Sequence, residues 1–134
     1  MSDSVASLRT HLLTVSGVTD LVVARMYFND LPQDATLPAL AIELTQSEII
    51  RHLSATTTLR RDTVNVYAYA DSYTGAAALG AAIETALEFA TGTWGTMAVS
   101  RCLVEGTVDV TEPPRDASEA WRWVRGIMLV IWHT

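Results

Sequence analysis

The spacing of apolar and polar positions changes at the centre of the chain. Residues 62–71 alternate between the two kinds of side chain, and this period of two is typical of a β-strand. One predicted face contains Val64, Val66, Ala68 and Ala70, and the other contains Thr63, Asn65, Tyr67 and Tyr69. From Tyr73 to Thr91, small and apolar residues instead recur every three or four positions, which is typical of an amphipathic helix. We expect Ser72 to cap this helix and Gly92 to end it, so that the helix folds back over one face of the strand.

Four further segments have regular patterns. Ser4–Val15 has apolar residues at helical spacing, and residues 21–28 are rich in side chains that strands prefer. Two more strands are predicted from Leu37 to about Ile50 and from Met97 to Val110. The last predicted strand, Trp121–His133, is apolar on both faces, so we expect it to be central in its sheet or covered by a partner.

The order of these elements predicts the fold class. A helix is followed by two strands, a strand–helix unit and two more strands, without a repeating βαβ series. We therefore predict one α+β domain over residues 1–134. Its mixed or antiparallel sheet would have about four to five strands, with the N-terminal helix and the Ala-rich helix (about 73–91) packed on it. Gly106 predicts a bulge within the Met97–Val110 strand.

The segment at about 50–62 is too long for a tight hairpin turn. It contains Arg51, Arg60 and Arg61 but no glycine or proline. Either a hairpin arm that projects beyond the sheet or a solvated loop fits this composition. We favour the arm because its threonines are acceptable in a strand.

The amino-acid composition argues against several classes of protein. The net charge is −6 over 134 residues, which argues against broad nucleic-acid binding, because phosphate contacts need a basic surface. Cys102 is the single cysteine and fits a reducing compartment. The N-terminus lacks the layout of a signal peptide, and the longest apolar run, Ile127–Trp132, is too short to span a bilayer. We expect a soluble intracellular product without a membrane partner.

No catalytic signature is present in the sequence. The glycines form no phosphate-binding loop, and the three histidines lack the spacing of metal ligands. Glu84 and Glu88 are predicted to be a solvated pair on the Ala-rich helix. We therefore predict no catalytic, metal or cofactor residue. An enzyme would have to use Glu43, His52 or Cys102, and it is the least favoured alternative.

Tyr67 and Tyr69 are the more informative residues. The alternation places both on the strand face away from the Ala-rich helix. Aromatic residues on an uncovered face, with arginines nearby, are typical of a protein interface. A second layer formed by the first helix would bury them equally well, so both interpretations stay open.

The succession of segments resembles a known family. The residues that carry the resemblance are Val23–Phe28, Leu37–Glu43, Thr63–Tyr69 and Val104–Pro113, with a helix before the first and another starting near Tyr73. In this order they resemble the tail-terminator or tail-completion proteins of long-tailed phages, prophages and gene-transfer particles. The resemblance spans nearly the whole chain and includes no catalytic residue.

The resemblance implies a structural virion protein. Such a subunit would form a homohexameric ring at the head-proximal end of the tail tube, stop tube polymerisation and allow the head to join. The implied partners are copies of the chain, the major tail-tube protein, a head–tail connector or neck protein, and the tape-measure protein. The protein would be in the host cytoplasm during assembly and then in the virion.

We select candidate contact residues from the arm, the tyrosine face and the loop before the last strand. They are Arg51, His52, Arg60, Arg61, Tyr67, Tyr69, Glu112, Arg115 and Asp116. Another neck or minor tail adaptor is an alternative function. A small-molecule-binding or regulatory domain, with a pocket between the sheet and the Ala-rich helix, is an alternative of another class.

Overall fold

The computed structural model describes residues 3–32, 34–50, 59–113 and 121–134. The helices in these residues are α1 (Ser4–Leu12), α2 (Ser16–Val22) and α3 (Tyr73–Leu87). The strands are β1 (Met26–Phe28), β2 (Ala39–Ile50), β3 (Leu59–Ala70), β4 (Gly92–Trp94), β5 (Met97–Glu112) and β6 (Arg122–His133). They form one sheet in the order β1-β2-β3-β6-β5-β4, in which only the β1–β2 pair is parallel. The predicted α+β class and mixed sheet are confirmed, but the described sheet has six strands instead of four to five.

All three helices pack on the same face of the sheet, which we call the helix face. Its core combines Leu8 and Leu12 of α1, Val18 and Val22 of α2, Leu79, Ile83 and Leu87 of α3, and Val64, Val66, Ile127, Leu129 and Ile131 of the sheet. Removing this much apolar surface from water is the main force that holds the layers together. The sheet face opposite the helices is the open face.

The central part of the chain folds as its pattern predicts. In β3, Val64 and Val66 are buried on the helix face, whereas Asn65 and Tyr67 point to the open face. The Ser72 side chain caps α3 by accepting a hydrogen bond from the Gly75 N–H at 3.1 Å. β6 lies between β3 and β5, as expected for a strand with two apolar faces.

The prediction of a strand over residues 21–28 is wrong for its first part. α2 continues to Val22, and the chain turns at Val23, which has a φ of 59°. Val18 and Val22 are four residues apart and both are fully buried, so core packing outweighs the strand preference of these β-branched residues. Only Met26–Phe28 are extended, as β1. The first helix is also shorter than predicted, because α1 ends at Leu12.

The predicted end of the Ala-rich helix is wrong. α3 ends at Leu87, and Gly92 begins β4. Phe89, with a φ of 59°, turns the chain so that its N–H donates to the Cys102 carbonyl at 2.9 Å. Glu88 is therefore not part of a solvated helical pair, because its carboxylate accepts a hydrogen bond from the Val104 N–H at 2.9 Å. The predicted turn after α3 contains the short strand β4. This strand buries Trp94 against α1, where the His11 ring stacks on the Trp94 ring.

β2 and β3 form a long hairpin whose pairing continues to Ile50 opposite Leu59. Arg60 and Arg61 are thus strand residues, and the tip of the predicted arm, residues 51–58, lies outside the described part of the chain. In β5, the pairing register shifts between Val104 and Gly106. This shift confirms the bulge predicted from Gly106.

Candidate protein-contact surface

The open face is covered at only one end. There the loop between β1 and β2 places Leu31 and Leu37 against Tyr69, which is 8% exposed, and against Val124. α1 lies on the helix face, so the alternative in which the first helix covers the tyrosines is wrong. The rest of the open face has no covering element among the described residues.

A groove of about 260 Å³ crosses the open face next to this covered end. Its walls include Tyr67 and Tyr69 of β3, Glu112 and Val110 of β5, and Glu43 of β2. The structure therefore brings together three of the predicted contact residues, Tyr67, Tyr69 and Glu112. The alternation of Val108, Val110 and Glu112 along β5 is the sequence signal that could have added the two valines.

The β2 and β3 side of the groove is polar and fixed by hydrogen bonds. The Tyr67 hydroxyl donates to Glu43 Oε1 at 2.9 Å, and Asn65 Nδ2 donates to Thr45 Oγ1 at 3.0 Å. Burial, together with the hydrogen bond to Glu43, raises the pKa of Tyr67. Burial, with the nearby negative charge of Glu112 and Asp30, raises the pKa of Tyr69 to about 12. Both hydroxyls therefore stay protonated at neutral pH.

The β5 and β6 side of the open face is apolar and exposed. The exposed fractions are 53% for Val108, 51% for Val110 and 44% for Met128. Gly126 of β6 lets Val108 and Tyr67 approach each other across the strand, because a Cβ at this position would lie 3.2 Å from Val108 Cγ1. A fixed polar half beside an exposed apolar half is the composition of a protein interface.

The predicted arginines lie at the other end of the sheet. Arg61 of β3 forms an exposed salt bridge with Glu48 of β2, and Arg60 lies opposite Ile49 on one side and His133 on the other. The candidate residues thus separate into two groups, with Arg60 and Arg61 at the hairpin end and Tyr67, Tyr69 and Glu112 towards the other end. Arg51, His52, Arg115 and Asp116 lie outside the described residues.

A buried polar pair lies at the root of the hairpin, and the sequence did not indicate it. Asp62 and His133, which are 3% and 1% exposed, join β3 to β6 with 2.7 Å between Oδ2 and Nε2. Ser47 of β2 donates a hydrogen bond to the other carboxylate oxygen. Although burial alone would raise the pKa of Asp62, the hydrogen bonds from Ser47 and His133 lower it below its ordinary value. With Ser47, the pair therefore connects three strands at the root of the hairpin.

The residues considered for an enzyme do not form one site. Cys102 is buried on the helix face, where burial and the nearby Glu88 raise its pKa to about 12. Glu43 is on the open face, where it accepts the Tyr67 hydrogen bond. His52 lies outside the described residues. In the described ranges, no group of three His, Cys, Asp or Glu side chains could hold a metal ion.

No helix within the described segments is long and apolar enough to cross a membrane.

An uncovered, half-apolar sheet face on a two-layer α+β domain is typical of a protein that binds other protein chains. Residues 6–128 match the family model for Tail completion protein gp17, and the chain is therefore a member of this family. The match confirms the resemblance seen in the sequence. The protein is a structural component of a virion tail, in association with other virion proteins.

Comparison of the fold with solved structures agrees with this family. A chain from the virion of a native gene transfer agent particle is similar to this one with a TM-score of 0.60 and 14% identity, over 99% of this chain and 100% of the other. A second solved structure has a TM-score of 0.50 and 13% identity over 97% and 96% of the two chains. At these identities the likeness shows the fold alone. No curated protein matches the chain.

Proposed function

We propose that the protein caps the head-proximal end of a phage tail tube as a homohexameric ring, stops tube polymerisation and enables head–tail joining. The observation that carries this proposal is the open face, which exposes an apolar surface beside a rigid polar one in a chain of the tail completion family. Exposed apolar area of this kind is costly in a free subunit and is removed from water when subunits associate.

A ring also requires two different contact regions on each subunit. In a head-to-tail arrangement, one region of a subunit binds the other region of its neighbour. The chain has a hairpin end with Arg60 and Arg61 and an opposite end with Glu43 and Glu112. Opposite charges on two regions favour this order of association over contact between like regions.

The proposed partners follow from this position in the virion. Besides copies of itself, the protein would contact the major tail-tube protein on one side of the ring and a head–tail connector or neck protein on the other. The tape-measure protein would end at the ring. The protein would be assembled in the host cytoplasm and remain in the virion at the head-proximal tail end.

The groove favours a protein contact over a small-molecule site. Its volume of about 260 Å³ lies below the roughly 300–1,000 Å³ of most ligand pockets. It also lies on the open face, whereas a pocket enclosed by the Ala-rich helix would lie on the helix face. A side chain or strand of another subunit is a better fit for a shallow groove of this kind.

Deletion of the gene from its parent phage or prophage, followed by electron microscopy, tests the function. We expect tail-free heads beside tubes of abnormal and variable length. Tails of normal length that fail to join heads would instead indicate a neck adaptor. Intact infectious particles would rule out a role in tail completion.

Reversing the charge of the hairpin end tests its part in assembly. We expect the double substitution Arg60→Glu and Arg61→Glu to block joining while the subunit stays folded, because the exposed Arg61–Glu48 salt bridge contributes only about 0–1 kcal/mol. Arg60→Lys with Arg61→Lys is the matched control, which keeps the charge and should support assembly. Normal particles from the Glu variant would disprove a contact through these arginines.

A further inference from the structure

The outer edge of β2 is covered along only part of its length. β1 pairs with residues Leu40–Ile42, and the Asn29 N–H donates to the Ile42 carbonyl at 2.8 Å. No described residue pairs with the same edge beyond this point. We call the outer side of residues 44–50 the β2 edge.

β5 has a similar edge on the opposite side of the sheet. β4 pairs only with Met97–Val99, and the segment after α3 bonds to the backbone of Cys102 and Val104. From residue 105 onward, the outer backbone groups have no strand partner within the part of the chain that the structure describes. We call the outer side of residues 105–112 the β5 edge.

Both edges have the features of strands that pair with another chain. Leu44 and Ile49 are 44% and 42% exposed next to the β2 edge, and Val108 and Val110 are about half exposed next to the β5 edge. Neither segment contains a proline, one of the residues that commonly protect exposed edges. Unpaired N–H and C=O groups beside exposed apolar side chains are a template for an added strand.

The two edges are complementary in direction. β2 is antiparallel to β3, β3 to β6, and β6 to β5, so β2 and β5 run in opposite directions. A second copy placed beside the first in the same orientation therefore brings its β2 edge next to the β5 edge of the first as an antiparallel neighbour. The same contact can then be repeated by every further copy, which is a head-to-tail interface.

We propose that the β5 edge of one copy pairs with the β2 edge of a second copy, so that neighbouring subunits share a continuous antiparallel sheet. This inference deepens the proposed ring and rests on it, because it specifies how the subunits join. The short strands β1 and β4 would cover the remaining length of each edge, beyond the ends of the shared pairing.

The position of the edges predicts a tilted arrangement. Thr107 lies in the same row of the sheet as Ile42, through Ile127 and Val66, so the two free segments lie at opposite ends of the sheet. Bringing them together shifts neighbouring copies by about six residues, or roughly 20 Å, along the strands. Equivalent strands would be four strands apart, or about 19 Å. The ratio of the shift along the strands to the distance across them gives a strand tilt of about 45°. This tilt is close to that of strands in closed barrels, so the arrangement suits a closed ring.

The charges near the two edges are also complementary. The β5 edge contains Glu105, Asp109 and Glu112 and no basic residue, whereas Glu48 of the β2 edge is paired with Arg61 in the strand behind it, next to Arg60. Asp109 and Arg60 are on the helix face of their strands, and Glu112 and Arg61 are on the open face. Asp109 and Glu112 of one copy would therefore lie on the same faces as Arg60 and Arg61 of the next, which favours a second copy as the occupant.

Disulfide cross-linking in assembled particles tests this contact. Ile49 and Thr107 are exposed and share the helix face, and residues opposite each other in antiparallel strands have Cβ atoms close enough for a disulfide with small adjustment. The chain would carry Ile49→Cys and Thr107→Cys with Cys102→Ala. After mild oxidation, we expect a ladder of cross-linked subunits on a non-reducing gel, which returns to monomer on reduction. Ile49→Cys with Asp109→Cys covers the neighbouring register that keeps both residues on the helix face.

The single variants are the controls. Ile49→Cys alone and Thr107→Cys alone should remain monomeric, because each position meets the other one and not itself. Dimers from Thr107→Cys alone would mean that two β5 edges pair, which would overturn the proposal. Monomers from both double variants would also overturn it. If a double variant forms no particles, co-production of the two single variants tests the same contact and should give dimers.

The shared sheet and the capping function can be rejected separately. Abnormal tails after gene deletion, with no ladder from either cysteine pair, would leave the capping function in place and reject the shared sheet. Intact particles after gene deletion would reject the capping function itself.

Discussion

Asp62 and His133 form a buried pair whose contribution depends on the charge of the carboxylate. Because hydrogen bonds keep the pKa of Asp62 below its unfolded value, its stabilisation is fully present at pH 7. It is lost as the pH falls below about 4 and through the lower folded-state pKa. We expect Asp62→Asn to lower the free energy of unfolding by about 1–3 kcal/mol at pH 7, and the difference from wild type to shrink towards pH 3.

Urea denaturation at several pH values measures this difference. Asp71→Asn, at an exposed position before α3, is the control and should change stability by less than about 0.5 kcal/mol. A difference for Asp62→Asn that stays constant from pH 7 to pH 3 would contradict the assigned role of the carboxylate.

Gly126 is a second single residue with a specific structural role. A Cβ at this position would lie 3.2 Å from Val108 Cγ1 and 3.4 Å from the Tyr67 ring, so both side chains would have to move. We expect Gly126→Ala to destabilise the protein by about 1 kcal/mol, measured by urea denaturation. Gly17→Ala, with nothing within 4 Å of the added Cβ, should be neutral or stabilising by up to about 1 kcal/mol. Equal effects of the two substitutions would show that the close approach across β6 has no energetic importance.

At the scale of an element, α3 makes one unusually close contact with β6. A Cβ at Gly80 would lie 2.5 Å from Arg125 Cδ, and Arg125 is held in place by two hydrogen bonds to Asp109 at 2.7 and 3.0 Å. We expect Gly80→Ala to destabilise the protein by about 1–2 kcal/mol, although alanine is the better helix former. In an Arg125→Ala background the same substitution should instead stabilise by up to about 1 kcal/mol.

A double-mutant cycle separates these two effects. The four proteins are wild type, each single variant and the double variant, compared by the free energy of unfolding in urea. If Gly80→Ala has the same effect in both backgrounds, the Arg125 side chain does not set the distance between α3 and the sheet.

The elements that the sequence predicts well are those with long, regular patterns. β3, α3 and β6 have alternation or helical spacing over ten or more residues, and each is found close to its predicted position. α2, β1 and β4 are short, so no period can be recognised in them. Their conformations depend on tertiary contacts, such as the burial of Val22 in the core and the pairing of Trp94 with Met97.

The contact surface on the open face was also predicted only in part. Tyr67 and Tyr69 follow from the alternation in β3, because a strand's faces are set by its own sequence. Their neighbours Glu43 and Val110 depend on which strands pair and in which register, which the sequence of one strand does not determine. The Asp62–His133 pair was missed for this reason, since its partners are 71 residues apart.

At the scale of the whole molecule, the two layers separate stability from assembly. The helix face holds the main core, while the open face and the β5 edge expose apolar side chains such as Val108 and Val110. We expect Val108→Lys with Val110→Lys to leave the free energy of unfolding within about 1 kcal/mol of wild type but to prevent incorporation into particles, because lysines protect exposed edges from pairing.

Particle yield by electron microscopy and stability in urea are the two measurements. Thr96→Lys, at an exposed turn, is the matched control and should support normal particles. Normal incorporation of the double lysine variant would show that this side of β5 makes no essential contact.

The alternation along β6 has a genetic consequence. Ile127 and Leu129 point into the core, so a polar residue at either position should prevent folding and behave as a recessive loss of the gene product. Met128, between them, is 44% exposed on the open face, so a charged residue there should give a folded subunit that can still join its neighbours. In a cell that also produces the wild-type chain, the proposed ring would contain both kinds of subunit, and the altered subunits would impair it. Substitutions at successive positions of β6 should therefore alternate between recessive and dominant-negative alleles.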